Sequence, residues 1–381
     1  MLDRAIDDID EGALVTLVAN QVAERRDLEF KRELPGRNDE QVKEFLSDVT
    51  SLANAQGGDL IFGIEEENGV AAGLVGVEIV DPDAEILRLE SSLQSGVAPR
   101  LIGVRSHWVP LAGMRGAIVI RVPASIGAPH RVTFKNSGRF WGRNSRGKYE
   151  MDVHELRTAF VQSEQLPQRF RQIHTDAIAA ARGVDMPFPV KAVPAAVLTV
   201  APLNLFREGY NIPVDRDQAV VPVGPGGYDS INLIEGVLMH SSVDPAGGTI
   251  DSFALTYRSG RVDAAWQCGG EIPGRDGNWK VARPIVFERS LLDMAHAAQV
   301  RLLHFGIEGP WVVLASVYGT LGRRLIAGDD YYTAPAFRDQ AFLGQHVVEQ
   351  LDAASLMPIA EAFWLVFGEN RPRRIPWGER A

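Results

Sequence analysis

The tightest constraint on the fold lies in residues 28–64, where a short alternating run, a helical-period run and a continuous apolar run follow one another. Leu28-Glu29-Phe30-Lys31 alternates as a strand does, which puts Glu29 and Lys31 on one face and Leu28 and Phe30 on the other, toward a core. After a loop with Pro35 and Gly36, Asn38 or Asp39 is placed to cap a helix. Its apolar face is Val42, Phe45, Leu46, Val49, Leu52 and Ala53. The helix is expected to stop at Gly57-Gly58, because glycine takes a positive φ without steric cost; the alternative use of the bare backbone is close approach of a phosphate or a partner strand. Asp59-Leu60-Ile61-Phe62-Gly63-Ile64 then reads as a buried strand, and residues 65–69 as a tight polar turn. Strand, helix and strand commit this region to an α/β layer.

The same reading continues along the chain. It gives a helix within residues 15–24, a short strand near 70–74, a helix over about 82–95, and strands near 101–108, 117–123 and 139–143. A helix from about Asp152 carries Val153, Leu156, Phe160 and Val161, and Pro167 is expected to kink or end it. Residues 182–190, rich in Pro and Gly, read as a linker. Beyond them, strand-like runs at 195–200, 253–257, 262–266 and 311–317 alternate with helix-like runs at 290–305 and 337–349, an α+β pattern. Residues 252–263 read as a hairpin, and Asp329-Asp330-Tyr331-Tyr332 as an acidic, aromatic loop.

Composition narrows the function classes. With 381 residues there is room for two domains, and the 45% apolar and 23% charged fractions are those of a globular chain. The single cysteine, Cys268, excludes an intramolecular disulfide, and the eight histidines show no ligand spacing. The acidic start lacks the apolar core of a secretory signal, and no apolar run approaches the roughly 20 residues that span a bilayer. A cytoplasmic protein without a membrane partner is the expectation. The net charge of −10 argues, alone, against nucleic acid, yet it hides a division. Residues 1–90 hold 22 acids and 8 bases, whereas residues 91–149 hold no acid and ten bases: Arg100, Arg105, Arg115, Arg121, Arg131, Lys135, Arg139, Arg143, Arg146 and Lys148. Such asymmetry suggests an acidic site beside a basic track.

Acids and a lysine at strand ends are how a site for a divalent metal and a phosphodiester is built: carboxylates hold the ion and a lysine steadies developing negative charge. A Glu-x-Lys triplet such as Glu29-Phe30-Lys31 is also common on solvated strand faces. In the basic segment, Phe140 and Trp141 interleave with Arg139, Arg143, Arg146 and Lys148, giving stacking surfaces beside phosphate-binding cations, although Trp141 serves equally as core. Asn54 reads as a helix-end hydrogen-bonding group or a ligand contact. Gly142 to Lys148 has the glycine and lysine spacing of a P-loop, but Tyr149 stands where Ser or Thr must hold Mg2+, so ATP is not expected.

The ordered series Glu24, Glu29-Phe30-Lys31, Leu52-Ala53-Asn54-Ala55-Gln56-Gly57-Gly58, Ile61-Phe62-Gly63-Ile64-Glu65-Glu66, Glu67-Asn68-Gly69 and Gly73-Leu74, with the closing Phe140-Trp141-Gly142-Arg143-Asn144-Ser145-Arg146, resembles the Schlafen AlbA-like (AlbA_2) domain family. The resemblance implies an α/β domain over residues 12–163 that binds nucleic acid, followed by a helix and linker (164–192) and an α+β domain (193–381). It implies a catalytic set of Glu24, Glu29, Lys31 and Glu66, with Glu24, Glu29 and Glu66 holding Mg2+ or Mn2+. Glu66, taken from Glu65-Glu66-Glu67, stands where the family's nucleases carry aspartate. Arg139, Trp141, Arg143, Arg146 and Lys148 would then grip the nucleic acid.

The function so implied is a metal-dependent endoribonuclease acting on structured RNA such as tRNA, with pairing into a homo-oligomer expected because the family's nucleases place two lobes around one cleft. The alternative is a DNA- or RNA-binding module or regulator without catalysis, whose acids form ion pairs with the basic segment. A further alternative is an assembly protein with no nucleic-acid role.

Overall fold

The structure, a computed structural model, describes residues 2, 4–113, 115–144, 147–208, 210–224, 226–274, 277–326 and 333–372. Two compact units emerge, Met1–Leu166 with Phe206–Gly209, and Pro167–Leu205 with Tyr210–Ala381.

In the first unit, α1 (Glu11–Ala19), β1 (Leu28–Lys31), α2 (Asp39–Asn54) and β2 (Gly57–Phe62) follow in order. β1 and β2 pair in parallel, Leu28 opposite Asp59 and Lys31 opposite Phe62, so α2 is the crossover that parallel strands require. The hairpin β3 (Ile64–Glu67) and β4 (Val70–Leu74), β5 (Val77–Glu78), α3 (Pro82–Gly96), β6 (Val97–Ala98), β7 (Arg105–Pro110) and β8 (Arg115–Pro123) come next. The main sheet runs β1-β2-β8-β5, with β7 also on β8. One face packs on α2 and α3 through Phe45, Leu46, Val49, Leu60, Ile118, Ile120 and Leu89. The other buries Leu28, Phe30, Ile61 and Val119 against Ile6, Ile9 and Leu14. Glu29 and Lys31 therefore face the α2 side. A second sheet, β11-β10-β9-β6, contains β9 (Arg131–Val132), β10 (Arg139–Asn144) and β11 (Gly147–Glu150).

Local chemistry explains these boundaries. Asn38 caps α2 by accepting the Gln41 N–H at 2.9 Å, and Asp39 and Glu40 sit in the first turn where the helix dipole favours acids. The C-cap is Ala55 rather than glycine. Gly57 and Gly58 instead open β2 with φ of 79° and 153°. A Cβ on Gly58 would stand 2.5 Å from the Asp27 carbonyl oxygen, and one on Gly57 2.7 Å from that of Val122. Close approach of neighbouring backbone is thus what the pair is for. The expected polar turn is shorter than read: the strand runs to Glu67, and Asn68 (φ 56°) and Gly69 (φ 76°) make the turn alone. The glycine-lysine run after Trp141 lies in an antiparallel hairpin, Arg143 opposite Lys148, and not at a strand-to-helix loop.

The closing helix α4 (Val153–Ala181) does not stop at Pro167, and the boundary between the units falls inside it. Leu166, Phe170, Ala177, Ile178 and Ala181 are all buried, so apolar positions at helical spacing continue past the missing N–H.

The second unit holds β12 (Ala195–Pro202), after which the single turn α5 (Leu205–Glu208) groups with the first unit from Phe206 on, and then β13 (Tyr228–Asn232), β14 (Gly236–Ser241), β15 (Ser252–Tyr257), β16 (Val262–Gln267), β17 (Gly269–Gly274), β18 (Gly277–Ala282), α6 (Pro284–His304), β19 (Trp311–Tyr318), β20 (Arg324–Leu325), β21 (Gln340–Val348) and α7 (Ala353–Leu365). Its seven-stranded sheet is ordered β13-β14-β15-β16-β12-β19-β21, with α6 and α7 in the main core cluster. The 252–263 hairpin forms as β15 and β16. The 337–349 run, expected as a helix, is edge strand β21. Ala315 pairs with Gly344 and Ser316 with Phe342, so Leu343 is bulged out and the two-residue period that marks a strand is broken there. Asp329-Asp330-Tyr331-Tyr332 lies outside the described residues.

Candidate nucleic-acid interface

The charged cluster is built where β1, α2 and the β10–β11 hairpin meet. Glu29 is 8% exposed, and its two carboxylate oxygens take different partners. Lys31 Nζ lies 2.6 Å from Oε1, and Arg143 Nη2 donates to Oε2. Burial pushes the Glu29 carboxyl up, but the Arg143 and Lys31 charges outweigh it and hold it below the usual range. Lys31 shows the mirror effect: burial works against its charge, yet Asp48 and Glu29 raise it overall. Arg143 is 3% exposed. Its Nε and Nη1 have no hydrogen-bond partner.

Lys148, across the hairpin from Arg143, turns back onto α2. Its Nζ lies 2.5 Å from Glu44 Oε1, 2.7 Å from Asp48 Oδ1 and 2.8 Å from Ser47 Oγ, and 5.9 Å from the centre of the Trp141 ring. Asp48 is 3% exposed; burial raises its carboxyl, with Lys148 and Lys31 pulling the other way. Neither Glu44 nor Asp48 was singled out from the sequence. A signal was there: Asp48 stands three residues after Phe45 and four before Leu52, on the apolar face of α2, where a carboxylate has to find a cation.

The other acids take partners of their own. Glu24 accepts the Phe30 N–H at 2.9 Å; burial raises its carboxyl, and repulsion from Glu29 and Glu66 adds to the rise. Glu66 turns to the Gly69 N–H, and Glu65 pairs with Arg32. Among the described residues no three His, Cys, Asp or Glu side chains are grouped so as to hold a metal ion. As arranged, one oxygen of Glu24 accepts from Phe30, one of Glu66 accepts from Gly69, and the two of Glu29 meet Lys31 and Arg143.

Much of the basic segment is answered by the acidic one. Arg121 pairs with Asp59 at 2.8 Å in the core, Arg105 with Asp7 at 2.6 Å and Lys135 with Asp39 at 3.5 Å. Arg139 remains exposed, 3.5 Å from Glu150, and Arg100 and Arg131 are exposed too. Trp141 is half-buried, and Arg146 lies outside the described residues. Asn54 is a structural fastener. Its amide donates to the His130 and Trp141 carbonyls at 2.8 and 2.9 Å and accepts the His130 N–H at 2.6 Å, fixing the loop before β9 to β10.

A mixed α/β domain with an ion-paired charged cluster on one side of its main sheet is what residues 24–152 provide. Those residues match the family model described as Schlafen, AlbA_2, which supports family membership for this N-terminal region and, at the level of the family, association with nucleic acid. No curated protein matches the chain. Among solved structures, it is similar to the DIP2311 protein from Corynebacterium diphtheriae, at 22% identity over 37% of this chain with a TM-score of 0.27. The match spans 26% of that protein's length. It is also similar to the N-terminal domain of a RecG-related protein from Nitrosomonas europaea, at 23% identity over 39% of this chain and 93% of that one, with a TM-score of 0.28. Among the described residues no helix is long and apolar enough to cross a membrane.

Proposed function

We propose that residues 24–152 form a nucleic-acid-binding module in which Glu29, Glu44 and Asp48 act as internal counter-ions. The observation that carries this reading is the occupation of both Glu29 oxygens by Lys31 and Arg143. A carboxylate neutralised twice is placed to shape a cationic site rather than to collect a cation. Backbone phosphates would meet first the exposed Arg131, Lys135 and Arg139, with Phe140 and Trp141 beside them for base stacking. Fluorescence anisotropy of labelled single-stranded RNA and DNA, titrated with salt, tests this. Binding should weaken steeply with salt, and the Arg131→Ala/Arg139→Ala double variant should lose about tenfold in affinity. No binding at low salt would refute it.

A second reading, metal-dependent cleavage of structured RNA such as tRNA, is favoured by the repulsion of Glu24 by Glu29 and by Glu66, which a cation would relieve. It requires the glutamates to exchange their present partners. Incubation of tRNA with purified protein and Mn2+ separates the two readings: cleavage that disappears in Glu29→Ala supports the second, and intact tRNA the first.

A further inference from the structure

In the second unit a cavity of about 400 Å³ is lined by Arg182, Lys280, Arg323 and Asp339, with Tyr318 and Gly319 behind them. Three cations face one carboxylate, in a chain whose net charge is −10. They come from three separate elements. Arg182 follows the last residue of α4, where its N–H closes the helix on the Ile178 and Ala179 carbonyls. Its guanidinium lies 4.8 Å from the Tyr318 ring centre, donates to Gln340 Oε1 at 3.0 Å and stands 3.6 Å from Asp339. Lys280 is an exposed residue of β18 and makes no ion pair among the described residues. Arg323 closes the turn after β19. Gly319 enters that turn at φ 72°, where a Cβ would stand 2.9 Å from the Ala192 carbonyl oxygen.

Arg323 is the informative member. It is 9% exposed, donates from Nε to the Gly319 carbonyl at 2.6 Å and from Nη2 to the Ala192 carbonyl at 3.2 Å, and has no partner at Nη1. Burial makes its charge harder to keep. A guanidinium with five N–H donors is rarely left incomplete at a buried site unless something else completes it. The geometry also speaks to the ligand's shape. One arginine fork suffices for a planar carboxylate, whereas donors arriving from a helix end, a turn and a strand suit the several oxygens of a tetrahedral anion.

We propose that this cavity binds a small phosphate-class oxyanion, either inorganic phosphate or the phosphate of a monoester, with the Arg323 guanidinium and Lys280 as donors and Arg182 as a third that Asp339 holds in reserve. Calorimetric titration of the full chain with inorganic phosphate and with ribose 5-phosphate, in chloride buffer at constant ionic strength, tests it. One anion should bind per chain. Lys280→Ala should weaken binding about tenfold, the equivalent of one charge-assisted contact, and Asp339→Asn should tighten it severalfold. Arg323→Lys should weaken it as well; since Arg323 also holds the turn, the two variants at exposed positions decide the matter. Tighter binding of ribose 5-phosphate than of phosphate identifies a monoester, and equal binding a free anion. Failure of both anions to bind, or equal affinity in wild type, Lys280→Ala and Asp339→Asn, overturns the proposal.

Discussion

Glu29 and Arg143 stand 114 residues apart in the sequence and are joined by a buried ion pair, their side chains 11% and 2% exposed. The pair ties β1 of the main sheet to β10 of the second sheet. It also joins the two halves of the charge division, the acidic first ninety residues and the acid-free stretch after them.

The carboxylates of this cluster are not equivalent, and neutral isosteres should show it. Glu29 is held in its charged form by two cations, so Glu29→Gln leaves Arg143 buried without a counter-charge and should cost about 3 kcal/mol. Asp48 is shifted the other way, toward its neutral form, so Asp48→Asn should be neutral or stabilising at pH 7. Urea unfolding of the two variants side by side measures the contrast. Equal destabilisation by both would show that the Asp48 pair with Lys148 outweighs its burial.

The same asymmetry sets a pH dependence. The Glu29 carboxyl lies below its ordinary value of 4.5, so the stability it contributes is complete above that pH and is lost as pH falls through the lowered value. The gap in urea midpoint between wild type and Glu29→Gln should therefore stay constant from pH 7 to about 5 and close in more acidic solution. Glu24 and Asp48, raised by burial, contribute with the opposite sign: their protonation on acidification relieves a penalty. A gap that widens toward acid pH would contradict the assignment.

Short-range features of this fold were legible in the sequence, and long-range ones were not. The alternation of Leu28 to Lys31, the apolar face of α2 and its Asn38 cap all report on neighbours a few residues away, and each is found where expected. That α4 runs on past Pro167 has no local signal, because the burial of Phe170, Ala177 and Ile178 beyond it depends on tertiary partners. β21 was misread because one bulged residue, Leu343, breaks the strand period. In the site, Glu29 and Lys31 could be placed on one face, but that Arg143 and Lys148 turn inward onto Glu29 and Asp48 is a matter of hairpin geometry that no spacing encodes.

Gly58 offers a test of why the glycine pair after α2 is there. At φ 153° any side chain is strained, and a Cβ would meet the carbonyl group and Cα of Asp27 at 2.5–2.7 Å, all backbone atoms that cannot turn aside. Gly58→Ala should destabilise the first unit by more than about 2 kcal/mol. A helix stop would predict much less, since Ala55 already caps α2. Circular dichroism through a thermal melt distinguishes the two.

His174 supplies a pH-dependent element in the second unit that no spacing of histidines announced. It is 2% exposed, with Nδ1 2.9 Å from Thr199 Oγ1 and Nε2 2.8 Å from Ser316 Oγ. Thr199 gives its own hydroxyl proton to Asp263 Oδ1 at 2.8 Å, so it accepts from the ring, which fixes the neutral tautomer with hydrogen on Nδ1 and leaves Nε2 to accept from Ser316. Burial lowers the imidazole from 6.5 to about 4, with Asp263 opposing and Arg261 reinforcing the change. Because the folded value is depressed, the unfolded chain binds the proton first as pH falls. Stability is then complete above 6.5 and drains away toward pH 4, by about 3 kcal/mol in all. His174→Gln keeps a hydrogen-bonding side chain but cannot titrate. Unfolding followed by the fluorescence of the buried Trp266, Trp311 and Trp364 should lose its slope between these two pH values in the variant, whereas an unchanged slope would place the titrating group elsewhere.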